Sequence, residues 1–390
     1  MADNKIIFAS DFAPIRNFAP LLAENPAAVY GDVAEYLKSG AYNIVNLESP
    51  LCNTGSFIAK SGAAFTGELY HIDSLKAGNF KAAVLANNHT FDSHLEGFLA
   101  TREVLKNNQI TPVGAGEDIE EARQVLAFEV NNTRCVLFTI SEGEDMLGAG
   151  FGKYGVRPWE PHLLAEEIRR ARDKYDVIII SAHCGLEFQP YPSIYVYDAF
   201  KLWADAGADV IIGHHPHVPQ CMTVFGKTPA YFSLGNFIFY QPNNLYYRKI
   251  GYMVELEVAH GCLINHKAVP YRITDGGVEL LRGGMTDDFA ELFAQLSKPL
   301  QSRCEAEKAW QAVLAYKNTA GFIAELRRIA DSMESDPVKG AAMLRNRVNC
   351  MQHATEWTDG TTRIMAEKIS DADPEYLAMV KNFMLREKTW

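Results

Sequence analysis

The sequence predicts an α/β fold with parallel or mixed sheets covered by helices, and three observations predict it. Short apolar runs rich in Val, Ile and Phe, which read as buried strands, recur at 6–9, 43–47, 82–85, 135–140, 177–180 and 210–212. Segments of helical period separate many of these runs. Beyond about residue 230 the pattern changes, first to strict alternation and then to helix-forming composition.

In the helical segments Val29, Val33 and Leu37 share one face, as do Leu95, Leu99 and Arg102, and again Tyr195, Ala199, Leu202, Trp203 and Ala206. Strands alternating with helices of this length favour parallel pairing, because a parallel connection needs a crossover long enough to hold a helix. Later, Tyr252-Met-Val-Glu-Leu-Glu-Val258 alternates apolar with polar residues, and His260-Gly261 supplies a turn before the apolar residues at 262–264. That is the signature of a half-buried antiparallel hairpin. From Asp287 onward Ala, Glu, Leu, Lys, Gln and Arg dominate. The expected organisation is therefore an α/β domain over 1–284 and a helical appendage over 285–390.

Bulk properties exclude some functions. The 390 residues are 48% hydrophobic and 22% charged, an ordinary globular composition without short repeats. A formal net charge of −11 opposes generic binding to a polyanion, so no nucleic-acid partner is expected. The amino-terminal residues 1–10 hold only a four-residue apolar stretch and no basic leader, so neither a secretory signal nor an integral membrane segment is expected. Seven scattered cysteines with no Cys-x-x-Cys pair suit reduced thiols, and the expected location is cytoplasmic.

The chemistry is expected where strands stop. The run at 6–9 leads into Asp11, 43–47 into Glu48, 82–85 into Asn87-Asn88-His89, 177–180 into His183, and 210–212 into Gly213-His-His-Pro-His217. In an α/β sheet the carboxyl ends of parallel strands form one rim, where residues distant in sequence meet. A single Asp after a strand is more often a cap or turn residue, and Asn87-Asn88-His89 alone reads as a turn. Three imidazoles within His214-His215-Pro216-His217 leave less room for a packing explanation. Asp, Glu, Asn and His without thiolate match a borderline-hard divalent ion such as Mn, Zn, Fe or Co. Asp11, Glu48, Asn88, His183, His215 and His217 suit one or two ions per chain, a pair sharing one carboxylate. Two ions roughly 3.5–4 Å apart clamp the oxygens of a displacement and lower the pKa of a water between them. The remaining histidines, His71, His94, His162, His260, His266 and His353, read as surface or capping residues. Arg16, Lys60 and Arg157 are candidate anion holders, although surface solubility explains any one of them as well.

Taken together, Asp11, Asn46-Leu47-Glu48, Asn87-Asn88-His89, His183-Cys-Gly-Leu-Glu187, Gly213-His-His-Pro-His217 with Gln220, and Ser233-Leu-Gly-Asn-Phe237 resemble a known family. It is the CapA or PgsA type of poly-γ-glutamate capsule biosynthesis protein, a branch of the calcineurin-like metallophosphoesterase fold, and the likeness spans roughly 5–240. The resemblance implies a four-layer αββα sandwich of two facing mixed sheets, followed here by a C-terminal helical extension outside the matched region. It also implies that Glu48 bridges two divalent ions, that Asn88, His183 and His215 complete one and that Asp11 and His217 complete the other. His89 takes the place of the proton donor, and Glu187 and Asn236 that of substrate-binding residues. One departure is Ala13, where the fold usually has a histidine two residues after the first aspartate. The Asp11 ion then has fewer protein ligands.

Three functional readings follow. The first is a metal-dependent hydrolase acting on an anionic substrate, a phosphoester or a γ-glutamyl amide, small or polymeric, linked to capsule or poly-γ-glutamate metabolism. The second is a non-catalytic polymer-binding or assembly subunit, a reading that Ala13 keeps alive. The third makes the helical extension a surface for homo-oligomerisation or partner docking.

Overall fold

The computed structural model describes residues 4–53 and 55–390. Residues 1–3, part of the amino-terminal stretch read above, and Thr54 lie outside the described residues. The chain first lays down β1 (Lys5–Ala13), β2 (Tyr42–Leu47), β3 (Phe80–Val84) and β4 (Thr111–Val113), paired parallel in that order. A short ribbon, β5 (Ala115–Gly116) against β8 (Gly155–Val156), flanks the start of a second sheet. That sheet comprises β6 (Leu126–Val130), β7 (Thr133–Ser141), β9 (Val177–His183), β10 (Val210–His214), β11 (Pro219–Phe225) and β12 (Thr228–Leu234), in the order β11-β12-β10-β9-β7-β6. The chain then returns to the first sheet. There β13 (Asn236–Phe239) pairs with the end of β1, and β14 (Ile250–Ala259), β15 (Cys262–Thr274) and β16 (Gly277–Leu280) extend the other edge antiparallel. Both sheets are mixed, and the hairpin expected at 252–264 is β14 and β15.

Side-chain alternation sorts the core into layers. Ile6 and Phe8 of β1 join Leu137, Ile179 and Ile212 in a cluster between the two sheets. Their neighbours Ile7 and Ala9 point the other way, onto Phe18, Leu22, Leu37, Phe98 and Leu105 of the outer helices. Val136, Ile178 and Ile211 of the second sheet likewise meet Leu164, Ile168, Phe200 and Trp203. The central strands are thus buried on both faces, which is why they read as unbroken apolar runs. Each fully buried Ile or Phe contributes about 1.5–3 kcal/mol. The result is the four-layer αββα sandwich, with helices on both outer faces.

Residues beyond β16 are helical: Gly284–Ser297, Arg303–Ser335, Pro337–Asn349, Met351–Met365 and Pro374–Leu385. The long second helix is broken at Asn318, whose backbone (φ 48°, ψ −177°) leaves the helical region. Asp336, followed by Pro337, caps the third helix by accepting from the Lys339 N–H. Phe289, Leu292, Trp310, Val313, Val380 and Phe383 belong to the cluster between the sheets, and Phe383 stacks on Tyr247 at 3.9 Å. The second, third and fourth helices form one wall of the cavity at the sheet rim, as described below. None of the described helices is long and apolar enough to cross a membrane.

Candidate metal centre

Local register brings the polar residues together. Asp11 pairs with Asn46 on β2 and with Asn236 on β13, and a bulge between Ala9 and Asp11 resets the strand at that point. On the second sheet His214 lies beside His183. Gly213 is required because a Cβ there would stand 2.0 Å from the Phe232 carbonyl oxygen, so only glycine lets β10 approach β12 this closely. The chain then turns through His215 (φ 100°) and His217 (φ 57°), conformations that side-chain-bearing residues seldom adopt. Such strain, of order 1–3 kcal/mol per residue, persists where the surroundings over-determine it and clusters at functional sites.

The six expected ligands converge at the facing rims of the two sheets, not along one open sheet. Glu48, His183 and His215 can place one donor atom each within 4.8 Å of one another, as can Asp11, Glu48 and His217, and as can Glu187, His215 and His217. Glu48 Oε1 lies 3.6 Å from His183 Nε2 and 3.5 Å from His217 Nε2. Asp11 Oδ2 lies 3.3 Å from His217 Nδ1. Asn88 holds its Oδ1 3.0 Å from His183 Nε2, while its amide Nδ2 donates to Glu144 Oε2 at 2.7 Å.

These residues fit a divalent cation by a test internal to the structure. Both Glu48 carboxylate oxygens, Asp11 Oδ2, His214 Nδ1 and His215 Nδ1 are buried without a hydrogen-bond partner. Buried polar atoms are nearly always bonded, and an ionised carboxyl left bare costs several kcal/mol. Burial, reinforced by Asp11 and Glu187, pushes the Glu48 carboxyl well up. Burial acts on Asp11 in the same direction, but the His214 and His217 rings, with nitrogens 3.4 and 3.3 Å from its carboxylate, hold it well below the usual range. Burial drives His183 and His215 down, toward the neutral imidazole that donates to a metal. Their partners select the donor atom: Gln352 Oε1 lies 3.1 Å from His215 Nε2, so accepting that N–H leaves Nδ1 as the lone-pair nitrogen. Asn236 does the equivalent for His217, contacting Nδ1 through its Oδ1 at 2.9 Å and donating to the His217 carbonyl at 3.0 Å. Asn236 is wholly buried and reaches the cavity through His217.

The centre opens into a cavity of about 620 Å³ lined by Asn88, His89, Glu187 and His217, among others. His89 Nδ1 contacts Asp92 Oδ2 at 2.6 Å, and Lys60 Nζ ties together Asp92 Oδ1 (2.9 Å), the Asn88 carbonyl (2.8 Å) and His89 Nδ1 (3.2 Å). Burial and the Lys60 charge push the His89 imidazole down against the pull of Asp92. Glu187 Oε1 stands 4.0 Å from His217 Nε2. Ala13 is fully buried and packs with Ile15, Phe239 and Phe65, so the position that elsewhere holds a histidine is apolar here.

Some residues of the centre escaped the sequence reading. His353, expected at the surface or in a cap, is largely buried, with Nε2 3.2 Å from Glu144 Oε1; it is a cavity residue because its helix is folded back over the rim. Glu144 also accepts from Asn346 Nδ2 at 2.6 Å. Asp92 was legible in principle from the spacing His89-x-x-Asp92 on one tight turn. Nothing in the sequence pointed to Gln352 or Asn346, which approach from helices far along the chain. Arg157 is not at the centre: it is buried against Glu167 and Phe138. Lys60 is, but bonded within the Asp92 cluster.

Fold and site together define a four-layer αββα sandwich with a carboxylate–imidazole cluster at its rim. Residues 5–241 match the family model described as bacterial capsule synthesis protein PGA_cap, and the chain belongs to that family. It is 30% identical over 222 residues to the capsule biosynthesis protein CapA of Bacillus anthracis, covering 55% of this chain and 54% of that one. Identity to the PGA biosynthesis protein CapA of Bacillus subtilis is 31% over 172 residues, 43% of this chain and 44% of that one. The chain thus spans about half the length of the curated relatives it matches. Among solved structures, an NAD nucleotidase from Haemophilus influenzae superimposes with a TM-score of 0.40 at 13% identity, covering 74% of this chain and 55% of that one.

Proposed function

We propose that the chain is a metal-dependent hydrolase of an anionic substrate, a phosphoester or γ-glutamyl amide, working in capsule or poly-γ-glutamate metabolism. The observation that carries this reading is the set of buried, unbonded carboxylate and imidazole atoms on Asp11, Glu48 and His215. Glu48, Asn88, His183 and His215 would hold one divalent ion, and Asp11, Glu48 and His217 a second. An ion held there supplies Lewis acidity toward a substrate oxygen and toward water. The protein's own contribution is positioning and proton handling. Asp92 accepts a hydrogen bond from the His89 Nδ1–H, leaving Nε2 as the nitrogen that would take a proton from the attacking water and pass it to the leaving group. The C-terminal helices wall one side of the cavity with Lys317, Glu325, Arg347 and His353.

A second reading, a non-catalytic subunit that holds an acidic polymer, draws support from one observation. The apolar packing of Ala13 leaves the Asp11 position with fewer donors than its partner. Elemental analysis of the purified chain separates the two, since two ions per chain favour hydrolysis and none or one favours the holding role. A hydrolysis panel with Mn or Zn, spanning phosphomonoesters, phosphodiesters and poly-γ-glutamate, tests the first directly. It fails if no substrate turns over, or if His215→Ala turns over every substrate at the wild-type rate.

A further inference from the structure

The cations of the cavity fall into two groups. Lys60 is ion-paired with Asp92, Lys317 with Glu325 and Glu356, and Arg347 with Glu325. Three others line the same cavity with no carboxylate within salt-bridge distance among the described residues: Arg328, on the long second helix, and the pair Arg16 and Arg248. The last two are instead laid against phenylalanine rings. Arg248 stands 3.7 Å above the centroid of Phe188, and Arg16 stands 5.2 Å from that of Phe65 while donating to the Tyr240 carbonyl at 2.8 Å.

The two rings are ends of one aromatic arc. Phe65 meets Phe239 at 5.5 Å, Phe239 meets His217 at 4.7 Å, and His217 meets Phe188 at 5.9 Å. A guanidinium thus terminates the arc on each side, with the ligand candidate His217 in its middle and His89 against Phe65 at 4.5 Å. Both ends are held in costly backbone. Arg16 (φ 55°) and Phe188 (φ 62°) occupy the left-handed region, a form of strain that accumulates at ligand clamps. A guanidinium stacked on a ring keeps its in-plane N–H fork free, the geometry that reads a carboxylate or phosphate through two parallel hydrogen bonds.

We infer that Arg16 and Arg248 form a bipartite clamp for a ligand carrying two oxyanionic groups, one on each side of the metal-ligand cluster. The inference rests on the hydrolase reading only for where the reacting group lies between the two anions. A singly charged ligand engages one end of the arc; a doubly charged one engages both and gains the second contact without a second association cost. Glu187, near Arg248 but outside pairing distance, is the acidic neighbour that disfavours charge placed between the ends.

The test is binding to the full chain in EDTA, so that neither metal nor turnover contributes. Titration calorimetry would compare two series of graded length, α,ω-alkane dicarboxylates and α,ω-alkane bisphosphonates, each against the matched monoanion. The expected result is a dianion preference of about tenfold or more at one chain length, in whichever series supplies the natural group. Arg16→Met and Arg248→Met should each abolish that preference while leaving monoanion binding at the remaining end, which also shows that the variants are folded. Equal binding of monoanions and dianions at every length would overturn the clamp, as would a preference that survives in the double variant. A clamp that persists in a chain that hydrolyses nothing would overturn the hydrolase reading alone.

Discussion

Two buried ionic clusters lie within a few residues of each other in this protein and are built on opposite principles. Around Lys60, Asp92 and His89, each charged atom has its partner: the ammonium bonds both to carboxylate and to carbonyl, and Asp92 also accepts from the Phe65 N–H at 2.7 Å. Around Asp11 and Glu48, both Glu48 oxygens, Asp11 Oδ2 and the Nδ1 atoms of His214 and His215 are equally buried and have no hydrogen-bond partner. A satisfied buried network rigidifies and specifies, whereas an unsatisfied one is tolerated only where a ligand completes it. The first cluster is scaffold for the second, holding the Asn88 carbonyl and the His89 ring in place at the cavity wall.

That contrast can be broken by substitution. The largest effect is expected at Lys60. Lys60→Met strands Asp92 and should lower stability by about 3–5 kcal/mol in urea denaturation, as breaking a buried pair does. Glu48→Gln should do the reverse of what its burial suggests, leaving the metal-free protein within about 1 kcal/mol of wild type while divalent-ion affinity falls at least about a hundredfold. If Glu48→Gln costs as much stability as Lys60→Met, the two clusters are not different in kind. Gln352→Ala should sharpen the comparison, weakening ion affinity about ten- to a hundredfold by freeing the His215 ring, with little change in the unfolding midpoint. The smallest effect belongs to an exposed pair. Hydrogen bonds from the Arg134 side chain and backbone pull the Asp176 carboxyl to about 2, from an ordinary 3.8. Since the folded value is the lower one, this contribution is present above about pH 4 and disappears as pH falls through 2. Asp176→Asn should therefore differ from wild type slightly at pH 7 and by much less at pH 2, where the folded carboxyl is half-protonated, in thermal unfolding followed at both.

The degree to which each part was legible follows from the range of the interactions that make it. Strand runs such as 177–180 and the hairpin at 252–264 were readable because burial on two faces, or on one, writes itself as unbroken or alternating hydrophobicity. The rim residues were readable because they directly follow those strands. What was expected of them as a single rim came out as two facing rims, since β1 to β3 and β9 to β10 belong to different sheets. Periodicity reports which face of a strand is buried and not which sheet the strand joins.

By itself, then, the sequence determined the six apolar core strands and the hairpin at 252–264, though not β4, β6, β11, β12, β13 or β16. It also determined the order of polar residues at the strand ends and the helical character of the chain past β16. Tertiary structure alone decided that the helices Pro337–Asn349 and Met351–Met365 fold back over the rim. It alone placed Gln352 on His215, and Asn346 with His353 on Glu144. It also left Arg16 and Arg248 as the unpaired ends of an aromatic arc. The physical reason is separation: local pattern encodes burial along one element, but a hydrogen bond between residues 137 positions apart leaves no periodic trace in either segment.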